Sequence, residues 1–408
     1  MIASPPPGLP PAPSPGLPHS IALVQDALPC FGGAERVLEA VTELLPAAPI
    51  HTLVFKPAAF AGTRLAQHEV HTSFIDRLPG AHRNHRAFLP LFPLAIESFD
   101  LTAYDLVLSF NYAVAHGVLI RPDQLHVSYT YTPLRHAWHF HHQYLKTLGA
   151  PGRWLARPLL HYLRLWDRAA ADRVDRFVAI SRWVSACIWR AYRRRSEVVH
   201  PPVNVDAFAP QSARGDHYVT VSRLEPHKRV DLVVDAFGRL GRPLLVVGEG
   251  SERARLMDRA KSNISFLGRI SDGEMVDVVG RARGLVHAAE EDFGIAMVEA
   301  QAAGCPVVAY AGGGAGEIIQ NGRTGVLFQR QTVEAVQEAV ATLEGLPRLR
   351  TVELRANAER FSTERFQRRL MQVLEREWER FCGRGISPDR ERRREREEAH
   401  GARNRQAF

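Results

Sequence analysis

Residues 287–310 read HAAEEDFGIAMVEAQAAGCPVVAY, and this stretch indicates how the second half of the chain folds. The run 295–303 contains helix formers and no Gly or Pro, and the Gly-Cys-Pro sequence at 304–306 then ends the helical pattern. The apolar run 307–310 has the length of a buried parallel strand. A turn, a helix and a strand are therefore predicted in succession, which is the repeating unit of a parallel α/β sheet.

Two carboxylates of this stretch, Glu291 and Glu299, indicate a ligand. Glu291 precedes the predicted helix and Glu299 lies about two turns into it, so both can border one cleft. The free backbone N–H groups at the helix start favour an anion in the same place. Hydroxyl-binding carboxylates beside an anion site suit a sugar nucleotide, whereas an ordinary amphipathic helix with two solvated acids is the alternative.

Length and composition predict two globular domains. A chain of 408 residues exceeds one ordinary core, and 45% hydrophobic with 24% charged residues is typical of soluble globular proteins. The four cysteines (Cys30, Cys187, Cys305, Cys382) are far apart, which favours a reduced, cytosolic compartment. No apolar run is long enough to span a membrane, and the Pro-rich residues 1–19 resemble a disordered leader rather than a signal peptide.

The formal net charge of +8 is concentrated in residues 20–200, which favours an anionic partner. A phosphate-bearing substrate and an anionic membrane surface both fit, whereas nucleic acid is not expected because no nucleic-acid-binding motif accompanies the charge. Segment 74–101 combines Arg77, Arg83 and Arg86 with several apolar residues, as at the surface of an anionic bilayer. A lid packed on its own domain is the alternative for this segment.

Alternating apolar runs and helical stretches divide the chain into two α/β halves. Strands are predicted at 21–24, 50–55, 105–109, 126–130 and 177–180, and then at 217–222, 243–247, 264–267, 284–287 and 307–310. The predicted organisation is a leader (1–19), a first Rossmann-like domain (20–200), a linker (201–216), a second Rossmann-like domain (217–361), a helix returning to the first domain (362–384) and a charged tail (385–408).

Ligands of open parallel sheets bind beyond the carboxyl ends of the strands, and the turns there are distinctive in the second half. The turn 223–229 places Arg223 and Lys228 where they can clamp a diphosphate and stabilise its developing charge. Glycine-containing turns follow three further strands, at 248–251, 268–269 and 311–317. Their small residues allow a ligand to approach the backbone closely.

These turns, with VSRLEPHKRVDLVVDAF, LLVVGEGSERARL, EEDFGIAMVEAQAAGCPVVAY and GGGAGEII, resemble the nucleotide-binding half of family 4 glycosyltransferases. The resemblance covers roughly 20–380 and implies the GT-B fold, in which two Rossmann-like, doubly wound parallel-sheet domains face a central cleft. The stretch 89–145, which includes LHVSYTYTPLRHAWHFHHQYL, is similar to a mannosyltransferase-like subgroup of O-antigen and exopolysaccharide assembly.

The resemblance also implies roles for individual residues. Arg223, Lys228 and Glu291 correspond to the catalytic groups, with the two cations on the diphosphate and Glu291 on hydroxyls of the transferred sugar. Glu299 corresponds to the carboxylate that holds the ribose. The complete set expected at the donor is Gly32, Gly33, Arg223, Lys228, Gly248, Arg269, Glu291, Phe293, Gly294, Glu299, Gly313 and Gly314.

Tyr131, Arg135 and His136 are expected on the acceptor side. Tyr131 stands where the subgroup has His, so the role of that His is open in this chain. A metal site is not expected: His136, His139, His141 and His142 are crowded together, but no carboxylate or cysteine joins them nearby.

The function that the resemblance implies is retaining, metal-independent transfer of a hexose, with mannose from GDP-mannose as the expected donor. The expected acceptor is a polyprenyl-diphosphate-linked saccharide, which would place the protein in the cytoplasm, peripherally on the inner face of the plasma membrane. No cofactor is expected, because the sugar nucleotide is a co-substrate. A UDP-sugar donor, or a non-catalytic protein that binds a sugar nucleotide, are the alternatives.

Overall fold

The computed structural model describes residues 16–210 and 214–384, which form two compact units. Unit 1 contains 16–180, 185–199 and 367–384, and unit 2 contains 181–184, 200–210 and 214–366. The predicted tail 385–408 and most of the predicted leader lie outside the described residues. The predicted linker 201–216 groups with unit 2, where Val203 pairs with Ser362.

Unit 1 is built on a seven-stranded parallel sheet in the order β3-β2-β1-β4-β5-β6-β7. The central strands are apolar and buried on both faces, as expected where helices cover a parallel sheet. The strands are β1 (Ile21–Gln25), β2 (Ile50–Thr52), β3 (Val70–Thr72), β4 (Leu106–Asn111), β5 (Leu125–Thr130), β6 (Arg176–Ala179) and β7 (Ser196–Val198).

The helices of the first half are α1 (Gly33–Leu44), α2 (Ala81–Asn84), α3 (Phe92–Glu97), α4 (His141–Thr147), α5 (Ala150–Ala170) and α6 (Arg182–Tyr192). A core on one face of the sheet joins β1 and β4 to α3 and α5, with Ala22, Val107, Ile96 and Leu163 among its members. The C-terminal helix α14 (Thr363–Cys382) belongs to unit 1 from Gln367 on, and Gln367 donates a hydrogen bond to the carbonyl of Ala40.

Unit 2 has a six-stranded parallel sheet in the order β10-β9-β8-β11-β12-β13. Its strands are β8 (Tyr218–Val221), β9 (Leu244–Val247), β10 (Ile264–Gly268), β11 (Gly284–His287), β12 (Val307–Tyr310) and β13 (Gly325–Phe328). Its helices are α7 (Val230–Leu240), α8 (Arg253–Arg259), α9 (Asp272–Gly280), α10 (Ile295–Ala302), α11 (Ala315–Ile318), α12 (Val333–Gly345) and α13 (Thr351–Ala358).

The predicted fold class, two doubly wound parallel sheets, is confirmed. In each sheet the strand order reverses once, between β1 and β4 in unit 1 and between β8 and β11 in unit 2. Ligands of doubly wound sheets bind beyond the carboxyl ends of the strands at this reversal. In the part of the chain that the structure describes, no helix combines the length and the hydropathy that crossing a membrane requires.

Candidate active site

The turns after β8 and β11 meet at the reversal of strand order in unit 2. Gly294 begins helix α10 with a φ of +108°, a left-handed conformation that glycine adopts without strain. The turn 288–294 can therefore fold back sharply from the end of β11 to the start of α10. This turn carries Glu291, and the turn after β8 carries Lys228 at the end of a short 3-10 helix (Pro226–Lys228).

Lys228 and Glu291 form an ion pair although 62 residues separate them in the sequence. The ammonium Nζ of Lys228 donates a hydrogen bond of 2.5 Å to Oε1 of Glu291. The imidazole Nε2 of His287, the last residue of β11, lies 3.2 Å from the same oxygen. The three side chains are 12%, 18% and 5% exposed in the order Lys228, Glu291, His287, so little water screens the contact.

The electrostatics of this cluster keep Glu291 ionised. Burial by itself raises the pKa of Glu291, but the Lys228 ammonium and His287 outweigh it and hold the pKa well below its usual range. Lys228 and Glu291, two of the residues predicted at the donor, therefore form a charged pair at the expected edge of the sheet. Their direct contact with one another was not part of the prediction.

The glycine-rich loop after β12 supports the turn that carries Glu291. Gly313 pairs with Glu291 in a parallel bridge, and the N–H of Gly314 donates to the carbonyl of Glu291 at 2.8 Å. A Cβ on Gly313 would lie 2.0 Å from that carbonyl oxygen, and one on Gly314 would lie 2.7 Å from Cα of Phe293. These glycines therefore allow the backbone of the loop to pack directly on the backbone of the turn that carries Glu291. The sequence predicts instead that they allow a ligand to approach the backbone.

The turn after β9 shows the same feature. A Cβ on Gly248 would lie 1.9 Å from the carbonyl oxygen of Ser222, and one on Gly250 would lie 2.3 Å from that of Leu224. These two glycines therefore hold the turn 248–251 against the segment that follows β8. The side chain of Arg223, the first residue after Ser222 in that segment, is exposed and forms no ion pair with other described residues.

The remaining residues predicted at the donor occupy different environments. Glu299 lies on α10 and is half-buried, and Arg269 is exposed beyond the end of β10. The ring of Phe293 is 3% exposed and packs against His200 and Phe361, with ring centroids 5.6 Å and 5.4 Å away. Phe293 thus contributes an anchor for the turn, and its apolar ring lies inside unit 2.

Three residues that the sequence interpretation did not identify support the turn from outside. The buried hydroxyl of Ser181 donates to the carbonyl of Asp292 at 2.6 Å. The carboxylate of Glu317 accepts from the backbone N–H of Arg182 at 2.7 Å and lies 2.9 Å from Nε2 of His200. Ser181 had a detectable signal, because it directly precedes helix α6 and Ser is a typical N-cap residue. Its Oγ accepts from the N–H of Val184.

In unit 1 the predicted glycine loop, Gly32 and Gly33, opens α1. Glu35, in the first turn, is buried beside it, and burial raises its pKa to about 7 although the backbone N–H groups of Glu35 and Gly32 oppose the shift. The hydroxyl of Tyr131 donates to the carbonyl of Ala34 at 2.9 Å. Tyr131 is buried and therefore fixes the start of α1 from the end of β5.

A buried carboxylate lies where the strand order of unit 1 reverses, between β1 and β4. Asp26 follows β1 and accepts hydrogen bonds of 2.6 to 2.9 Å from four successive backbone N–H groups after β4, those of Tyr112, Ala113, Val114 and Ala115. Burial raises the pKa of Asp26 to about 6, and the four hydrogen bonds limit the shift. Asp26 therefore joins the two strands next to the glycine loop.

The predicted acceptor-side residues make aromatic contacts within unit 1. The guanidinium of Arg135 lies 5.4 Å from the ring centroid of Phe140, and the ring of His136 is tilted by 34° against that of Tyr144, with centroids 4.7 Å apart. Among residues 16–210 and 214–384, no group of three or more His, Cys, Asp or Glu side chains is arranged to hold a metal ion.

Comparison with known proteins assigns both halves of the chain. Residues 31–207 match the family described as Glycosyltransferase Family 4, and residues 210–364 match the family described as Glycosyl transferases group 1.

Two curated relatives illustrate the range of activities. The D-inositol 3-phosphate glycosyltransferase of Rhodococcus erythropolis is 33% identical over 224 residues, which cover 48% of this chain and 49% of that protein. The GDP-mannose-dependent alpha-(1-6)-phosphatidylinositol monomannoside mannosyltransferase of Mycobacterium tuberculosis is 32% identical over 178 residues, covering 36% of this chain and 46% of that protein. The chain spans about half the length of such curated relatives.

The fold has a close counterpart among solved structures. The crystal structure of Anabaena HepE in complex with UDP and glucose superposes with a TM-score of 0.66 at 17% identity, covering 87% of this chain and 99% of that chain. The family matches and the fold together show that the chain belongs to the glycosyltransferases whose GT-B fold combines a family 4 domain with a group 1 domain.

Proposed function

We propose that this protein is a retaining glycosyltransferase that moves a hexose, mannose from GDP-mannose, onto a polyprenyl-diphosphate-linked saccharide in the synthesis of a cell-surface polysaccharide. One observation carries the proposal: the ionised Glu291 and Lys228 are held together at the strand-order reversal of unit 2. A carboxylate that accepts from sugar hydroxyls and a cation that receives a diphosphate are the two groups that such a donor requires.

In the proposed complex both members of the ion pair also form hydrogen bonds to the donor. Lys228 shares its three donors between Glu291 and the diphosphate, and the exposed guanidinium of Arg223 takes the second phosphate. Glu291 accepts hydrogen bonds from hydroxyls of the transferred sugar, and Glu299 accepts from the ribose. Because Glu291 stays ionised without substrate, it is ready to accept these bonds across the neutral pH range.

The proposed reaction exchanges one bond at the anomeric carbon. The bond from that carbon to the diphosphate oxygen breaks, and a bond to the acceptor oxygen forms on the same face of the sugar. The acceptor proton passes to the departing diphosphate, so no protein nucleophile is needed. Lys228 and Arg223 stabilise the negative charge on the leaving group, which is why we propose transfer that is independent of metal ions.

The donor assignment has support from two directions. The subgroup resemblance of 89–145 and the GDP-mannose-dependent relative favour mannose from GDP-mannose. A UDP-sugar is the second candidate, favoured by the fold's likeness to Anabaena HepE, whose structure holds UDP and glucose. A lipid-linked acceptor places the enzyme in the cytoplasm at the inner face of the plasma membrane.

A thermal-shift panel of GDP, UDP and ADP with their sugars tests donor binding. A ligand at about 100 times its Kd stabilises the folded state by about 2.7 kcal/mol, which raises the melting midpoint by roughly 5 °C or more for a domain of this size. We expect this shift with GDP and GDP-mannose. A shift with UDP-sugars alone contradicts the mannosyl assignment, and no shift with any member contradicts nucleotide-sugar binding.

A further inference from the structure

Helix α5 (Ala150–Ala170) has two apolar faces, and the residues that the structure describes cover one of them. Leu160, Leu163 and Ala170 are buried in the core of unit 1. On the other side Trp154 and Leu155 are 79% and 75% exposed, and further along the helix Tyr162 and Leu165 are 50% and 60% exposed.

The exposed apolar residues form one continuous surface. At 100° per residue, Trp154, Leu165, Pro158, Tyr162 and Leu155 fall within an arc of about 100° on the helix. We call this arc the outer face of α5. Large apolar side chains that are exposed together, rather than singly, mark an interaction surface. Burial within the chain does not explain their presence, since the opposite face of the helix already supplies the packing.

A row of basic residues borders the outer face along one side. Arg153, Arg157, Arg164 and Arg168 follow one another at spacings of four, seven and four residues, and the one acidic residue of the helix, Asp167, is buried. Arg168 pairs with Asp172, and Arg164 donates to the carbonyl of Ala137. Neither Arg153 nor Arg157 forms an ion pair with the residues that the structure describes.

The geometry and the charge suit a membrane interface. A helix of 21 residues is about 30 Å long and can lie flat in the headgroup region, where its apolar side enters the acyl boundary. Trp and Tyr are favoured at this depth because their rings are apolar and their tips are polar. Arginines along the edge of such a helix contact lipid phosphates, and Arg153 and Arg157, which form no ion pair within residues 16–210 and 214–384, are available for that contact.

We propose that the outer face of α5 docks onto an anionic lipid bilayer, with Trp154, Leu155 and Leu165 in the interface and Arg153 and Arg157 on the phosphates. The inference deepens the proposed function and rests on it, because a lipid-linked acceptor is presented at such a surface. The contact predicted from the sequence for 74–101 stays a separate prediction. In that segment Phe92 and Ile96 are buried and Phe88 and Leu89 pack against the core, whereas Leu91 and Leu94 are 38% and 61% exposed.

Liposome flotation of the full chain tests the proposal. Wild type is mixed with vesicles of phosphatidylglycerol and phosphatidylcholine or of phosphatidylcholine alone, and compared with Trp154→Ser/Leu155→Ser/Leu165→Ser and Arg153→Gln/Arg157→Gln. The matched control is Met257→Ser/Val352→Ser, which removes exposed apolar groups from unit 2. Circular dichroism checks the fold of each variant.

We expect wild type and the control to float with the anionic vesicles. The apolar triple variant should lose at least about tenfold in partitioning, and the arginine variant on the order of 20-fold, at about fivefold per arginine near an anionic surface. Variants that float like wild type overturn the proposal. The proposal is also overturned if wild type binds neither kind of vesicle. It is overturned as well if wild type is a dimer in solution and the apolar triple variant is a monomer, because the outer face would then be an interface between two copies of the chain.

Donor hydrolysis without vesicles, measured on the same samples, separates this proposal from the proposed function. Hydrolysis should stay within about twofold of wild type in both α5 variants, because the outer face is not part of the donor site. If wild type hydrolyses the donor but does not bind vesicles, the docking proposal is overturned and the proposed function is not. Vesicle binding without hydrolysis of any donor overturns the proposed function and leaves the surface in place.

Discussion

Glu291 is a carboxylate that the structure keeps charged in a place where burial opposes its charge. Lys228 supplies the compensating charge at 2.5 Å, and His287 lies on the other side of the same oxygen. A depressed pKa means that the pair stabilises the folded state above the usual pKa of a glutamate and stops doing so as the pH falls. The same contact presents an acceptor and a cation together to a donor.

Replacing Lys228 by Ala should therefore change both the rate and its pH dependence. Donor turnover should fall by about 100- to 1,000-fold, as when one preorganised positive donor at a leaving group is removed. Burial of Glu291 is then opposed by His287 without the Lys228 ammonium, so its pKa rises and the acidic limb of kcat/KM moves to higher pH. The pH profile of donor hydrolysis measures both effects.

Arg239→Ala is the control, because Arg239 forms an exposed ion pair with Glu334 on the surface of unit 2. Its profile should match that of wild type. A Lys228→Ala variant with the wild-type rate and the wild-type acidic limb would show that the ion pair takes no part in turnover.

At the scale of an element, the loop between β12 and α11 tests whether backbone packing positions Glu291. Gly313 has a φ of +73°, and a Cβ there would lie 2.0 Å from the carbonyl of Glu291. Gly313→Ala should destabilise unit 2 by about 1–3 kcal/mol and weaken donor binding, because the loop must move away from the turn. Thermal unfolding with and without nucleotide measures both quantities.

Gly316→Ala is the matched change three residues later, within α11. No atom lies within 4 Å of a Cβ there, and its φ is not left-handed. This variant should be neutral or more stable by up to about 1 kcal/mol, since Ala is the better helix former. Equal effects of the two substitutions would contradict the packing role of the loop.

Helices α5 and α6 of unit 1 meet at a buried carboxylate whose charge is disfavoured. Asp167 Oδ2 accepts from Nε1 of Trp138 at 2.6 Å and from the hydroxyl of Tyr192 at 2.9 Å. Burial raises the pKa of Asp167 from 3.8 to about 7 despite these bonds. The stability linked to this raised pKa is complete below about pH 4 and declines as the pH rises through about 7.

Asp167→Asn keeps an oxygen acceptor and removes the titration. The urea midpoint of wild type should fall between about pH 5 and pH 7.5, and the fall should be smaller in Asp167→Asn. Part of it should remain, because burial also raises the pKa of Asp26 and Glu35. Asp172→Asn, on the surface beside Arg168, should follow wild type. Identical pH dependence in Asp167→Asn would contradict this assignment.

At the scale of the whole molecule, the apolar strands were the most predictable part. β11 and β12 lie at the predicted residues, and β9 and β10 each differ from the prediction by one residue at one end. The missed strands are β3, β7 and β13. β3 and β7 have three residues each, which is too short for an alternating or apolar run to be recognised, and neither contains a buried residue.

The candidate site was predictable only where a residue type itself implies chemistry. Lys228 and Glu291 were named from the sequence, but their contact depends on the pairing of β8 with β11 and is not visible in their spacing. Ser181 and His200 contact the turn 291–294 directly, and Glu317 acts through His200 and the N–H of Arg182. The N-cap signal of Ser181 did not reveal its contact with this turn, and the residue types of the other two gave no sign of their role. Phe293 was predicted at the donor, whereas its ring anchors the turn from inside unit 2.

The central claim is that a nucleotide sugar reacts at the Lys228–Glu291 pair. The most direct test is acceptor-free donor hydrolysis, followed by NMR, which detects the released nucleoside diphosphate and the anomeric configuration of the first sugar formed. We predict release of GDP and α-mannose from GDP-mannose by wild type and by Arg239→Ala, and at least about 100-fold less by Lys228→Ala. Release of no nucleoside diphosphate from any sugar nucleotide, or equal release by Lys228→Ala, would contradict the claim.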